Sequence, residues 1–108
     1  MNTGASHSRP LSEAEILVAL RSLPGWEHAG RSLNKAVEFS SFDDAICFMM
    51  HAASEADVLD HHPEWTNCNR RVQIRLTTHA AGGVVTRMDL ELARRMQALL
   101  PDTDVHGA

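Results

Sequence analysis

A hydroxyl three residues ahead of a carboxylate occurs at Ser12-x-x-Glu15, Ser41-x-x-Asp44 and Thr86-x-x-Asp89. Each pair can close a capping box: the hydroxyl accepts a bond from a free backbone N–H, and the carboxylate accepts one in return. The device predicts three helix starts, and apolar spacing extends each one. The first helix covers about 12–22, with Ile16, Leu20 and Leu23 on one side and Pro24-Gly25 at its end. The second covers 42–59 and carries Phe42, Ile46, Met49, Ala53 and Ala56 at helical steps, a stripe turned to a core. The third covers 87–100, with Leu92, Met96 and Leu99, and Pro101 stops it.

Strands fill the intervals. Leu33, Lys35, Val37 and Phe39 alternate with Asn34, Ala36 and Glu38, and Trp26 opens a short partner strand. Val72, Ile74 and Leu76 alternate with Gln73, Arg75 and Thr77, which gives one buried face. The segment 64–68 pairs with that strand through a tight turn at Asn69-Arg70, because Asn tolerates left-handed backbone angles. The order is α-β-β-α-β-β-α. It implies an α+β fold: a four-stranded, mainly antiparallel sheet with three helices packed on one face.

A chain of 108 residues fits one domain. The expected layout is a flexible N-terminus over 1–10, one folded unit over 11–101 and a flexible tail over 102–108. The chain is 44% hydrophobic and 22% charged, with a formal net charge of −4 and no basic block. That composition is globular and argues against nucleic-acid binding. Cys47 and Cys68 show no paired-cysteine spacing and read as reduced thiols of a cytoplasmic protein. No stretch is long enough to span a bilayer, so no membrane partner is expected.

The run Asp57-Val58-Leu59-Asp60-His61-His62-Pro63-Glu64-Trp65, with His79 further on, carries the chemistry. Histidine exchanges protons near neutral pH. With Asn69 and Arg70 at the turn, the hairpin register places His62 opposite Thr77, His61 opposite Thr78 and Asp60 opposite His79. His61, His62 and His79 then gather at the open end of one hairpin, with Asp60 beside them. Alternation turns Gln73, Arg75, Thr77 and His79 away from the helices, and Cys68 is expected to lie toward them. Asp57, one turn before His61, can orient an imidazole. Against this, Asp60 has a plain reading as a helix terminator, Asp89 as a helix cap, and Trp65 as core or pocket wall. His7, His28, His51 and His106 read as ordinary surface residues.

A zinc site is the main alternative, since three histidines and a water form a known centre. Adjacent histidines on a chain entering a strand point to opposite sides, so joint ligation is awkward and no metal is expected. Neither cysteine sits in a nucleophile motif, and Gly82-Gly83 is a turn rather than a phosphate loop.

These residues resemble the pterin-4a-carbinolamine dehydratases. The likeness runs from about Leu11 to Leu100. It is carried by Leu23-Pro24-Gly25-Trp26, the 42–60 helix, Asp60-His61-His62-Pro63-Glu64-Trp65, Leu76-Thr77-Thr78-His79, Gly82-Gly83 and Asp89-Leu90-x-Leu92-Ala93. Two features depart from the family pattern. Asn69 and Arg70 stand where an aromatic is usual, and the stretch from Gly83 to Asp89 is one residue longer.

The resemblance implies dehydration of a 4a-hydroxytetrahydropterin to a quinonoid dihydropterin, in recycling the pterin of aromatic amino acid hydroxylases. The pterin is the substrate, and no cofactor or metal is implied. His61, His62 and His79 are the expected catalytic residues, with His62 and His79 as the acid–base pair. Asp57, Asp60 and Asp89 are expected to support or orient them. His61, Trp65 and Thr78 are expected to bind substrate. The resemblance also implies a homodimer or homotetramer. A second reading is a non-catalytic binding or dimerisation module on the same fold, of the transcriptional coactivator or assembly-chaperone type.

Overall fold

The computed structural model describes residues 9–101. The flexible ends expected over 1–10 and 102–108 lie outside the described residues, apart from Arg9 and Pro10; His7 and His106 lie outside them too. The elements run α1 (Glu13–Leu20), β1 (Glu27–Ala29), β2 (Ser32–Glu38), α2 (Phe42–Leu59), β3 (Glu64–Cys68), β4 (Arg71–Leu76), a 3-10 turn (His79–Ala81) and α3 (Arg87–Ala98). The expected order is the observed one.

Two of the three capping boxes close fully. Ser12 Oγ accepts from Glu15 N–H at 3.1 Å, and Glu15 accepts from Ser12 N–H at 2.8 Å. That backbone bond, with Arg9 beside it, holds the Glu15 carboxyl below its usual range. Thr86 and Asp89 form the second box. At α2 only the hydroxyl half is made, with Ser41 Oγ accepting from Asp44 N–H. Helix α1 is shorter than the spacing suggested. Its final turn tightens, with Arg21, Ser22 and Leu23 N–H groups each bonded three residues back.

The four strands form one antiparallel sheet in the order β1-β2-β4-β3. The β3–β4 register pairs Glu64 with Arg75, Trp65 with Ile74 and Cys68 with Arg71, as the hairpin reading required. Asn69 takes φ 56° at the turn, a conformation open to Asn at small cost. Directly paired residues share a face. Trp65 therefore lies on the helix side with Ile74, while Cys68 and Glu64 lie on the open side with Arg71 and Arg75. Cys68 is exposed there, which corrects its expected placement toward the helices.

The core sits between the sheet and the helices. Leu33, Val37, Val72, Ile74 and Leu76 meet Ile16, Leu23, Trp26, Leu92, Ala93 and Met96. The α2 stripe differs from the expected one. Its buried residues are Ala45, Phe48, Ala52 and Ala56, whereas Phe42 is 49% exposed and Ile46 only half-buried. The helix is rotated by about one residue, because alanines at 45, 52 and 56 let its backbone approach the sheet closely, which Ile and Met there would block. Arg95 ties α3 to α2 through Glu55 at 2.9 Å. Lys35 is buried on the helix side with its ammonium on the Pro24 carbonyl, 2.8 Å away. A Cβ at Gly25 would run into that ammonium, and its φ of 83° favours glycine as well.

Candidate active site

The site begins where α2 stops. Asp60 adopts a left-handed conformation, φ 52° and ψ 43°, and His61 N–H bonds back to the Ala56 carbonyl at 3.0 Å. This reversal throws His61 inward and His62 outward within three residues of the helix end. His61 has only 12% of its side chain exposed, and His62 has 60%.

His61 Nε2 lies 2.6 Å from Asp89 Oδ1. Asp89 is fully buried. Its other oxygen accepts from Thr78 Oγ1 at 2.7 Å and from Thr86 N–H at 2.9 Å. The Thr78 and Thr86 hydroxyls are 2.8 Å apart. Thr78 gives its only hydroxyl proton to Asp89, so Thr86 donates to Thr78, and Thr86 in turn accepts from Met88 N–H. The result is a directed chain, Met88 to Thr86 to Thr78 to Asp89, whose members polarise one another. Among the described residues no buried side-chain N or O lacks a partner. An ionised carboxylate only accepts. His61 therefore donates Nε2–H to Asp89, and Nδ1 is its other ring nitrogen.

The other two imidazoles repeat the arrangement on separate carboxylates. His62 Nε2 is 3.0 Å from Asp57 Oδ1, both groups exposed. His79 Nε2 is 2.9 Å from Glu64 Oε2, and Glu64 Oε1 accepts from Arg75 at 2.7 Å. The Arg75 guanidinium, and then His79, hold the Glu64 carboxyl below its ordinary value. All three histidines thus commit the same nitrogen, Nε2, to a carboxylate and leave Nδ1 open.

The hairpin register does not carry on through the histidines. Strand β4 ends at Leu76, and Thr78 bridges Val84 instead. Thr77 is buried, with its hydroxyl on the Arg31 carbonyl at 3.2 Å. It does not face outward as alternation implied, because the chain turns toward the β1–β2 corner there. His61 and Thr78 still meet, but through Asp89 rather than as strand partners.

Asp57 and Asp89 sit where an orienting role requires. Asp60 does not. It is exposed, ends α2 in the left-handed region, and has no hydrogen bond to a histidine among the described residues. Trp65 is half-buried and packs against the core. Glu64 was missed, although its opposition to Arg75 and the outward parity it shares with that residue followed from the register. The longer loop before Asp89 is absorbed without displacing the carboxylate from His61. His51 is exposed and bonds its own Cys47 carbonyl.

No group of three or more His, Cys, Asp or Glu side chains converges in a metal-binding arrangement among the described residues. A groove of about 630 Å³ lies elsewhere, lined by Val37, Phe39, Cys47, Phe48, His51 and Leu99 among others. None of the three site histidines lines it, so volume and chemistry point to different places. The site is assigned by its three imidazole–carboxylate pairs, two at the end of α2 and one at the 3-10 turn. No helix among the described residues is long and apolar enough to cross a membrane.

Known proteins resemble this chain over most of its length. The family model described as Pterin 4 alpha carbinolamine dehydratase matches residues 9–99. A protein of Opitutus terrae named "Putative pterin-4-alpha-carbinolamine dehydratase" is 48% identical over 89 residues, covering 82% of this chain and 92% of its own. A relative of the same name from Chelativorans sp. is 46% identical over 90 residues, covering 82% and 91%. A crystal structure from Brucella melitensis, described as a transcriptional coactivator/pterin dehydratase, superposes with a TM-score of 0.82 at 40% identity, covering 86% of this chain and 100% of that one. The chain belongs to the pterin 4 alpha carbinolamine dehydratase family, whose named activity is that of a hydro-lyase.

Proposed function

We propose that this protein dehydrates 4a-hydroxytetrahydropterin to quinonoid dihydropterin by histidine general acid–base catalysis. The reaction removes the C4a hydroxyl as water and the proton from the neighbouring N5. One imidazole of the His62 and His79 pair, as its imidazolium, delivers the Nδ1 proton to the departing hydroxyl, and the other, as the neutral ring, takes the N5 proton on Nδ1. His61, held inward by Asp89, binds or polarises the pterin, and Thr78 and Trp65 take part in binding it. The observation that carries this reading is the common use of Nε2. Three carboxylates each engage Nε2 of one imidazole, which supports Nδ1 as the nitrogen each ring offers to a ligand. Positioned groups of this kind contribute about a hundred- to ten-thousand-fold in rate. The chemistry as proposed calls on no redox cofactor and no metal.

The test is the stimulated decay of freshly generated 4a-carbinolamine. His62→Ala and His79→Ala alter exposed side chains, so stability should change by less than about 0.5 kcal/mol. Turnover in each should fall at least about a hundredfold. Near-normal turnover in both would reject the assignment.

The proposal extends to setting. The protein acts in the cytoplasm beside an aromatic amino acid hydroxylase, as a homodimer or homotetramer. Assembly is supported by the outward side of α2, where Met50 is 67% and Val58 72% exposed, and by the free edges of β1 and β3. The coactivator wording attached to the Brucella melitensis structure favours a second reading, a binding module on the same fold. A protein that leaves carbinolamine decay unchanged would support that module.

A further inference from the structure

Resting on the dehydratase reading, we propose that Glu64 is the positioning residue of His79, with Arg75 as its anchor. The argument starts from the strand pair. Glu64 and Arg75 are directly opposed in the β3–β4 register and so project from the same, open face of the sheet. Arg75 Nη1 donates to Glu64 Oε1 at 2.7 Å, which leaves Oε2 for the imidazole at 2.9 Å. One carboxylate is thereby divided between a permanent cation and a titratable ring.

His79 needs such a hold. Its side chain is 77% exposed, and its ring makes no other hydrogen bond among the described residues. It sits in a single 3-10 turn closed by Gly82, at φ 92°, so neither packing nor a long helix limits its rotamer. The other charged side chain bonded to this loop is Arg31, on the Gly82 carbonyl at 3.3 Å. Exposed ion pairs contribute little to stability. The Arg75–Glu64–His79 chain therefore has orientation as its main consequence. Because the carboxylate can only accept, Nε2 carries the proton of the neutral ring and Nδ1 its lone pair.

The sequence reading assigned no role to Glu64 or Arg75. Among the described residues, His61 and His62 are paired with aspartates that have no cation at hydrogen-bond distance, so there the anchored glutamate is peculiar to His79. Arg75 holds Glu64 ionised and fixed, which makes the two a unit rather than two independent contacts.

The experiment uses the full chain with Glu64→Gln, Glu64→Asp and Arg75→Met. It reads kcat, KM, the pH profile of kcat, and the His79 tautomer from ¹H–¹⁵N correlations of the imidazole. Glu64→Gln should lower kcat about tenfold while KM stays within about twofold; Glu64→Asp should recover part of the loss, and Arg75→Met should cost about threefold. The neutral His79 ring should be the Nε2–H form alone in the parent and a mixture in Glu64→Gln, and the pH profile should shift with it. Unchanged kcat with an unchanged tautomer would overturn the proposal. So would a raised KM at constant kcat, which would make Glu64 a ligand to the pterin. A parent protein without dehydratase activity would remove the reading on which the kinetics rest, and the tautomer comparison would then decide the positioning role alone.

Discussion

Asp89 Oδ1 stands 2.6 Å from His61 Nε2 across 28 positions of sequence, and the same carboxylate caps the helix that carries it. Replacing it with Asn preserves size but turns one acceptor into a donor. The new NH2 must face either the His61 Nε2–H or the donors at Thr78 and Thr86. Asp89→Asn should therefore lose about 1–3 kcal/mol of stability in urea unfolding, together with at least about tenfold in turnover.

The hydroxyl chain above Asp89 makes a gentler test. Thr78→Val keeps the shape and removes the donor to Oδ2, leaving the Thr86 hydroxyl to turn elsewhere. The cost should be about 1–2 kcal/mol. Turnover should fall more than in Thr77→Val, whose hydroxyl bonds only the Arg31 carbonyl. Equal activity in the two variants would separate the chain from the chemistry.

The Glu64 carboxyl gives a signed dependence on pH. Its folded value lies below the ordinary 4.5, chiefly through Arg75 and then through His79. The folded protein keeps it ionised where the unfolded chain has begun to take up protons. The associated stability is complete above the ordinary value and disappears as pH falls through the lowered one. Carboxyl ¹³C titration should place the Glu64 midpoint below 4.5 and move it upward in Arg75→Met. A midpoint that does not move would trace the depression to another group.

Packing under α2 is tight where its alanines face the sheet. Ala52 is fully buried, so Ala52→Leu should cost about 1–3 kcal/mol through overpacking. Ala53, one residue on and only half-buried, should accept Leu at a smaller cost. Thermal unfolding of the two variants orders them.

The outward side of the same helix bears on assembly. Met50→Glu with Val58→Glu places two charges among exposed apolar side chains. Sedimentation velocity should show a shift to a smaller species. An unaltered distribution would assign the interface to the strand edges.

Much of this was legible in the sequence. The caps at Ser12, Ser41 and Thr86 mark real helix starts, and Phe42–Leu59 has the bounds that its spacing predicted. The register through Asn69-Arg70 holds as far as Glu64. It fails beyond because Pro63 offers no N–H to a ladder and Thr78 finds Val84 instead. The face of α2 was misread because apolar spacing weights Ile46 and Met49 above alanine, whereas close approach rewards the smaller residue. The division of labour among the acids was hidden for a related reason. Asp60 is near the histidines in sequence but spends its backbone on a left-handed turn. Asp89 is far away and reaches His61 only when α3 packs against α2. Proximity along a chain says little about which carboxylate a given ring will find.

The double duty of Asp89 has a kinetic corollary. The group that starts α3 is the group that seats His61, so the last helix cannot fray at its first turn without unseating the ring. No partly folded species with α3 detached could retain a working centre. Function should then be gone by the denaturant concentration at which the α3 helix is lost.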